Sequence, residues 1–145
     1  MKALIQRVKR ASVTIDGELY SSIEKGLLVF LGVEKGDGVE NAQKLADKIV
    51  NLRIFEDENE KMDFSVKDVG GEVLVVSQFT LCGDCKKGTR PSFDKSAPLD
   101  IAVDLYEKFT EFVRLHGLKT ETGKFRAMMD VELINDGPVT FMLEK

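Results

Sequence analysis

The run Leu27-Leu28-Val29-Phe30-Leu31-Gly32-Val33, opened by Gly26, carries no polar side chain at all. A half-exposed strand would alternate and an amphipathic helix would show a polar stripe, so this run suits a strand covered on both faces. It predicts a central strand, and the rest of the chain must then supply apolar cover on both sides of a sheet.

Two segments have the period to provide one side of that cover. From Val39 onward, Ala42, Leu45, Ala46, Ile49 and Leu52 recur at helical spacing, with Asn41, Lys44, Asp47 and Lys48 on the opposite face. Ala102, Val103, Tyr106, Phe109, Phe112 and Val113 mark a second amphipathic helix, expected to end near His116-Gly117. Strands are predicted at Ala3 to Val8, Val13 to Ile15 and Leu19 to Ile23, the last two joined by the tight-turn pair Asp16-Gly17. Arg53-Ile54-Phe55 reads as a short strand followed by a polar turn from Asp57 to Lys61. Ala127, Met129, Val131 and Leu133 alternate, as do Val139, Phe141 and Leu143, which predicts two final strands around a turn at Asn135-Asp136-Gly137-Pro138.

The expected fold class is therefore α+β: two long amphipathic helices against a curved, barrel-like sheet, mostly antiparallel or mixed. With 145 residues and 43% hydrophobic content, the chain suits a single domain spanning residues 1–145. Charges at Lys2, Arg7, Lys9 and Arg10 interrupt the amino-terminal apolar residues, unlike a signal peptide. No segment approaches the roughly 20 apolar residues that span a bilayer. A cytoplasmic location with no membrane association is the expectation.

A net charge of -4 argues against a protein that grips long nucleic acid by neutralising phosphates. Local contact is compatible with it, because Lys86, Lys87 and Arg90 share one loop, and Lys119, Lys124 and Arg126 cluster later. Ordinary solvated charge explains either group equally well. Cys82 and Cys85 form a lone C-x-x-C, half of a zinc site and without the neighbours of a thioredoxin turn. The single histidine, His116, sits where a helix C-cap is expected. No Ser-His or metal-ligand grouping is present in the sequence, so no metal or cofactor is expected, and a hydrolase built on this chain needs another source of activation.

Two constellations remain. Glu72 to Val76 is a buried apolar strand that turns polar at Ser77-Gln78-Phe79-Thr80-Leu81, where hydroxyls, an amide and main-chain N–H groups come together. Donors freed at a strand end can form an oxyanion hole, although small polar residues also simply cap strands. The loop from Cys82 to Pro98 is longer than a connection requires. In Asn135-Asp136-Gly137-Pro138-Val139-Thr140, proline cannot donate to a ladder and an X-Pro bond can be cis, reorienting the carbonyls. An ordinary hairpin turn is the simpler reading of the same residues.

Together, S-Q-F-T-L at Ser77 to Leu81 and N-D-G-P-V-T at Asn135 to Thr140 resemble the paired signatures of the D-aminoacyl-tRNA deacylase family. The resemblance runs end to end, through A-L-I-Q-R-V at Ala3 to Val8, G-L-L-V at Gly26 to Val29, R-I-F at Arg53 to Phe55, G-T-R-P-S-F at Gly88 to Phe93 and T-G-K-F at Thr122 to Phe125. It implies hydrolysis of the ester joining a D-amino acid, or glycine, to the 3'-terminal adenosine of tRNA, with no cofactor. It further implies catalytic residues Ser77, Gln78, Phe79 and Thr80, and a homodimer. In that homodimer a cis Gly137-Pro138 turn, held by Arg7, enters the partner's site and rejects L-amino acids.

Within that resemblance, Phe79 and Thr80 amides serve as oxyanion donors, Ser77 and Gln78 position the adenosine, and the ribose 2'-hydroxyl assists a water. Thr80 as a covalent nucleophile is the older reading, and nothing in the segment deprotonates its hydroxyl. A related editing enzyme of relaxed chirality with a trans turn, and a non-catalytic RNA-binding module, are the alternatives.

Overall fold

A computed structural model describes residues Met1–Lys145. In chain order its elements are β1 (Lys2–Ile15), β2 (Glu18–Ile23), β3 (Gly26–Gly32), α1 (Val39–Asn51), β4 (Phe55–Glu56), β5 (Met62–Phe64), β6 (Glu72–Ser77), a 3-10 turn (Phe79–Cys82), α2 (Leu99–Leu115), β7 (Thr120–Thr122) and β8 (Asp130–Glu144). The principal sheet is mixed, in the order β2-β1-β3-β6-β7, with β3-β6 and β6-β7 parallel and the other pairs antiparallel. One edge of β1 carries β3 along its first half and β2 along its second, while β8 runs along the opposite edge. The Ser21 hydroxyl on β2 donates to the Thr122 carbonyl on β7 at 2.7 Å, so the two ends of the sheet meet and the strands form a nearly closed barrel.

The uninterrupted apolar run is β3, and it is buried on both faces as its composition requires. Leu27, Leu31, Val73 and Val75 face α1 and α2, where Leu45, Ile49 and Phe109 are fully enclosed. Leu28, Leu74 and Val76 face the other way, against Val13 and Ile23. Each helix thus buries most of the stripe its periodicity predicts, although on α2 Leu105 is buried while Val103 is only half-buried, and His116 caps α2 and reaches Asp47 on α1 at 2.7 Å. No helix is long and apolar enough to cross a membrane.

Two long strands differ from the sequence expectation. The predicted pieces Ala3 to Val8 and Val13 to Ile15 are one strand, β1. A register shift between Val8 and Arg10 places an extra residue there. A one-residue insertion swaps the faces of everything beyond it, so Ala3 and Ile5 lie on the helix side whereas Ala11 and Val13 lie on the other. Lys9 and Arg10, in the gap between the two predicted pieces, sit at this exposed bulge.

The two expected carboxy-terminal strands are likewise one, β8, and Asn135 to Pro138 form no hairpin. Between the pairs Gln6-Thr140 and Val8-Asn135, Arg7 alone faces Asp136, Gly137, Pro138 and Val139, so β8 bulges outward and then rejoins the ladder. Pairing to the long β1 on either side keeps the strand continuous where the local sequence alone reads as a turn. Elsewhere the strand expected from Glu72 ends at Ser77 in the 3-10 turn, and Arg53-Ile54-Phe55 yields only Phe55–Glu56, paired with β5.

Candidate active site

The 3-10 turn at the end of β6 is fixed from beneath. Ser77 pairs with Leu31 of β3, and the Gln78 N–H donates to the Leu31 carbonyl at 2.8 Å, the last ladder bond before the chain turns. Gly32 leaves room for that turn: a Cβ there would lie 3.1 Å from the Gln78 carbonyl oxygen and 3.0 Å from the Cys82 sulfur. Cys82 is buried, its Sγ 3.5 Å from the Val33 carbonyl, and burial pushes its thiol pKa up. It is a neutral anchor for the turn, whereas Cys85 is exposed, and both thiols are free.

Within the turn, the Leu81 N–H donates to Gln78 O at 3.2 Å and the Gly83 N–H to Thr80 O at 3.0 Å. The amides of Phe79 and Thr80 precede the first of these bonds and have no partner inside the turn, as the opening residues of any helix do not. The Gln78 side-chain amide donates to the Thr80 hydroxyl. The Phe79 ring, 56% exposed, packs at 5.0 Å against Phe93 from the long loop, which is itself closed by the paired backbone bonds of Asp84 and Ser92.

These residues form one end of a cleft of about 710 Å³ whose other walls are mostly apolar. Ala97 comes from the loop end ahead of α2, Leu99 and Ala102 from the start of α2, and Phe125, Ala127, Met128 and Met129 from the segment before β8. The only ionisable side chain on the lining is Arg126, which has φ 64° and is exposed at the rim. No imidazole, carboxylate or amine is at hand to deprotonate the Ser77 or Thr80 hydroxyl. Two donor amides beside polar side chains in an apolar cleft can instead stabilise negative charge developing on a carbonyl oxygen.

The second constellation lies elsewhere. Arg7, 4% exposed, donates from Nε to the Asp136 carbonyl at 3.1 Å and from Nη1 to the Ile54 carbonyl at 2.7 Å. Its guanidinium also lies 3.2 Å from the Asp136 carboxylate and 3.5 Å from that of Glu56. The Asn135 side-chain amide donates to the Arg7 carbonyl at 2.9 Å and to the Val139 carbonyl at 3.1 Å, spanning the bulge. Val139 is buried, but Gly137 and Pro138 are exposed, and the peptide bond between them is cis.

The structure therefore brings Ser77, Gln78, Phe79 and Thr80 together on one cleft, while Gly137 and Pro138 do not line that cleft in their own chain. His116 is engaged with Asp47, and Lys119 pairs with Glu72 at 3.1 Å, so neither belongs to the cleft. Lys86, Lys87, Arg90, Lys124 and Arg126 form no ion pair. Sequence reading missed the wall from Ala127 to Met129, which it assigned to a strand. The signal was present in three consecutive apolar residues that break the alternation between Arg126 and Asp130.

The chain matches the family described as D-Tyr-tRNA(Tyr) deacylase over residues 4–144. A D-aminoacyl-tRNA deacylase of Thermodesulfovibrio yellowstonii is 57% identical over 143 residues, covering 99% of this chain and 98% of that protein. Among solved structures, a c-Myc DNA Unwinding Element Binding Protein superposes with a TM-score of 0.94 at 44% identity, covering 100% of this chain and 99% of the other. A second, described as a probable eukaryotic D-amino acid tRNA deacylase, has a TM-score of 0.84 at 18% identity over 99% and 98% of the two chains, a likeness of fold alone.

Proposed function

The chain belongs to the D-Tyr-tRNA(Tyr) deacylase family, a hydrolase family acting on the ester bond of D-aminoacyl-tRNA, and on that premise we propose that Ser77 to Thr80 form the catalytic end of its cleft. The reading rests on one observation above all: the Phe79 and Thr80 amides open the 3-10 turn without partners in it, beside a cleft that holds no general base.

The substrate supplies much of its own activation, because its α-ammonium withdraws electrons from the ester carbonyl and its ribose 2'-hydroxyl lies next to the reacting centre. Main-chain N–H groups fixed at the turn receive the developing oxyanion. Ser77 and Gln78 hold the terminal adenosine, Thr80 is positioned by the Gln78 amide, and the 2'-hydroxyl assists the attacking water. Arg126, at the rim, favours an anionic polynucleotide end.

Chirality is assigned to the Gly137-Pro138 bulge of a second copy, in a twofold dimer that gives two equivalent sites. Its exposure, its position off its own cleft and the apolar side chains of Ile134, Phe141 and Met142 exposed along β8 all support that arrangement. The Gly137 and Pro138 carbonyls accept the substrate ammonium and leave no room for an L side chain. Selection by exclusion tolerates many D side chains and admits glycine. A cytoplasmic location accords with a tRNA substrate.

The test is deacylation of matched D-tyrosyl-, L-tyrosyl- and glycyl-tRNA by the purified protein. Release of D-tyrosine and glycine with the L ester spared is the expected outcome. Equal release from both enantiomers, or release from neither, would overturn the reading.

A further inference from the structure

A groove of about 570 Å³ adjoins the cleft and shares one wall with it: Phe125 lines both, its ring 5.7 Å from that of Tyr106. It lies where β2 and β7 meet and α2 covers the seam. Glu107, Glu111 and Arg114 reach it from α2, where their spacing puts them on one helix face. Tyr20, half exposed on β2, and Lys124 complete it. Neither Arg114 nor Lys124 makes an ion pair, and neither Glu107 nor Glu111 does, although all four stand around one depression.

This mixture is informative. A plain phosphate site would not carry two carboxylates, and a site for a cationic ligand would not carry two cations without carboxylate partners, Arg114 having only a long bond of 3.4 Å to the Thr120 carbonyl. A single-stranded nucleic acid presents both kinds of group at once, phosphates for Lys124 and Arg114 and base faces for the Tyr20 ring. Carboxylates accept hydrogen bonds from an exocyclic amine such as cytosine N4, and uracil offers an acceptor in the same place.

We infer that this groove is a subsite for the two cytidines that precede the terminal adenosine of tRNA, entered past Phe125 from the catalytic cleft. The inference rests on the deacylase reading above. Lys124 and Arg114 hold the connecting phosphates, Tyr20 stacks on a base, and Glu107 and Glu111 accept the cytosine amines. The groove thereby extends recognition beyond the adenosine to bases every tRNA shares, which suits an enzyme that must accept many tRNAs in one frame.

The experiment compares D-tyrosyl-tRNA with 3'-O-D-tyrosyl-adenosine, an ester that ends at the cleft. Lys124→Gln combined with Arg114→Gln should raise KM for the tRNA about tenfold with kcat unchanged, and leave turnover of the adenosine ester within about twofold. A tRNA carrying uridines in place of the two cytidines should be a poorer substrate for the wild-type protein by about tenfold. Glu107→Gln with Glu111→Gln should abolish or reverse that preference, because a glutamine amide can donate to uracil O4.

Retention of the cytidine preference by the glutamine pair, or equal losses on both esters, would overturn the inference. So would loss of tRNA affinity in Lys86→Gln with Arg90→Gln but not in the groove variants, which would route the strand over the long loop instead. Wild-type protein that cleaves neither ester would show that the deacylase reading itself had failed, and the subsite with it.

Discussion

Strand β6 and strand β8 both interrupt the sheet's hydrogen-bond ladder, and they do so in opposite ways. β6 stops at Ser77 and winds into a 3-10 turn, which leaves N–H groups at Phe79 and Thr80. β8 does not stop: it bows away from β1 opposite Arg7 and resumes at Thr140, leaving Gly137 and Pro138 without partners on that strand. Proline has no N–H, so the bulge presents carbonyls where the turn presents donors. The supports differ as well. Apolar burial of Val76 and Cys82 holds the donor end, whereas a buried guanidinium and the Asn135 amide hold the acceptor end. On the proposed reading the turn would receive developing negative charge and the bulge of a second copy would receive an ammonium, each through main-chain groups and so with little regard to side-chain identity in the substrate.

The sharpest way to break this pairing is to remove one donor without disturbing the turn. Phe79 is the first residue of the 3-10 turn, where proline is tolerated, and Gln78 before it has φ -144° and ψ 78°, outside the helical region that proline disfavours. Phe79→Pro deletes the N–H and the ring together, and Phe79→Ala deletes the ring alone. We expect kcat of the proline variant to lie about 10²–10³-fold below that of the alanine variant, the effect of losing one oxyanion donor. Equal kcat values in a single-turnover assay would show that the Phe79 amide takes no part.

At the acceptor end the corresponding change is Gly137→Ala. A Cβ at this position would come within 2.8 Å of the Asn135 Oδ1 atom, and the asparagine cannot swing aside freely because its amide holds the Arg7 and Val139 carbonyls. The bulge must shift, and displacement of a positioning element by about 1 Å can cost about 100-fold in rate. Measured kcat/KM on D-tyrosyl-tRNA should fall by that order while the far-ultraviolet circular dichroism stays unchanged. Wild-type kcat/KM in this variant would separate the bulge from the chemistry.

How much of the two regions could be read from the residues follows the same division. Ala42, Leu45, Ala46 and Ile49 repeat at helical spacing and are fully buried, and β3 is enclosed on both faces, because each signal depends only on neighbours in sequence. The polar mouth of β6 was legible for the same reason. The continuity of β1 and β8 was not, since pairing between residues far apart in the chain joins the pieces on either side of Lys9-Arg10 and overrides the local turn signal at Asn135-Pro138. β7, only Thr120–Thr122, is too short to show a period, and the wall from Phe125 to Met129 has no regular structure from which a period could arise.

Arg7 serves the acceptor end alone, and its removal is the mildest of the three perturbations. It lies on β1, and its donors reach Ile54 ahead of β4 and Asp136 in the bulge, so a charge joins the buried Val139 in tying the acceptor end to the core. Arg7→Met keeps the volume of the stem and withdraws the donors. The Asp136 and Glu56 carboxylates, 32% and 47% exposed, can take up water, which leaves the Ile54 carbonyl as the principal group without a partner. Such a group costs about 1–3 kcal/mol, so the urea midpoint should fall while the m-value holds. Arg7→Lys should not restore it, because an ammonium lacks the planar fork that serves two carbonyls and two carboxylates at once. The informative quantity is the ratio of D to L turnover in the surviving folded protein. A ratio that falls with stability makes Arg7 a support of the proposed chiral selection, whereas an unchanged ratio leaves that support to Asn135 and the buried Val139.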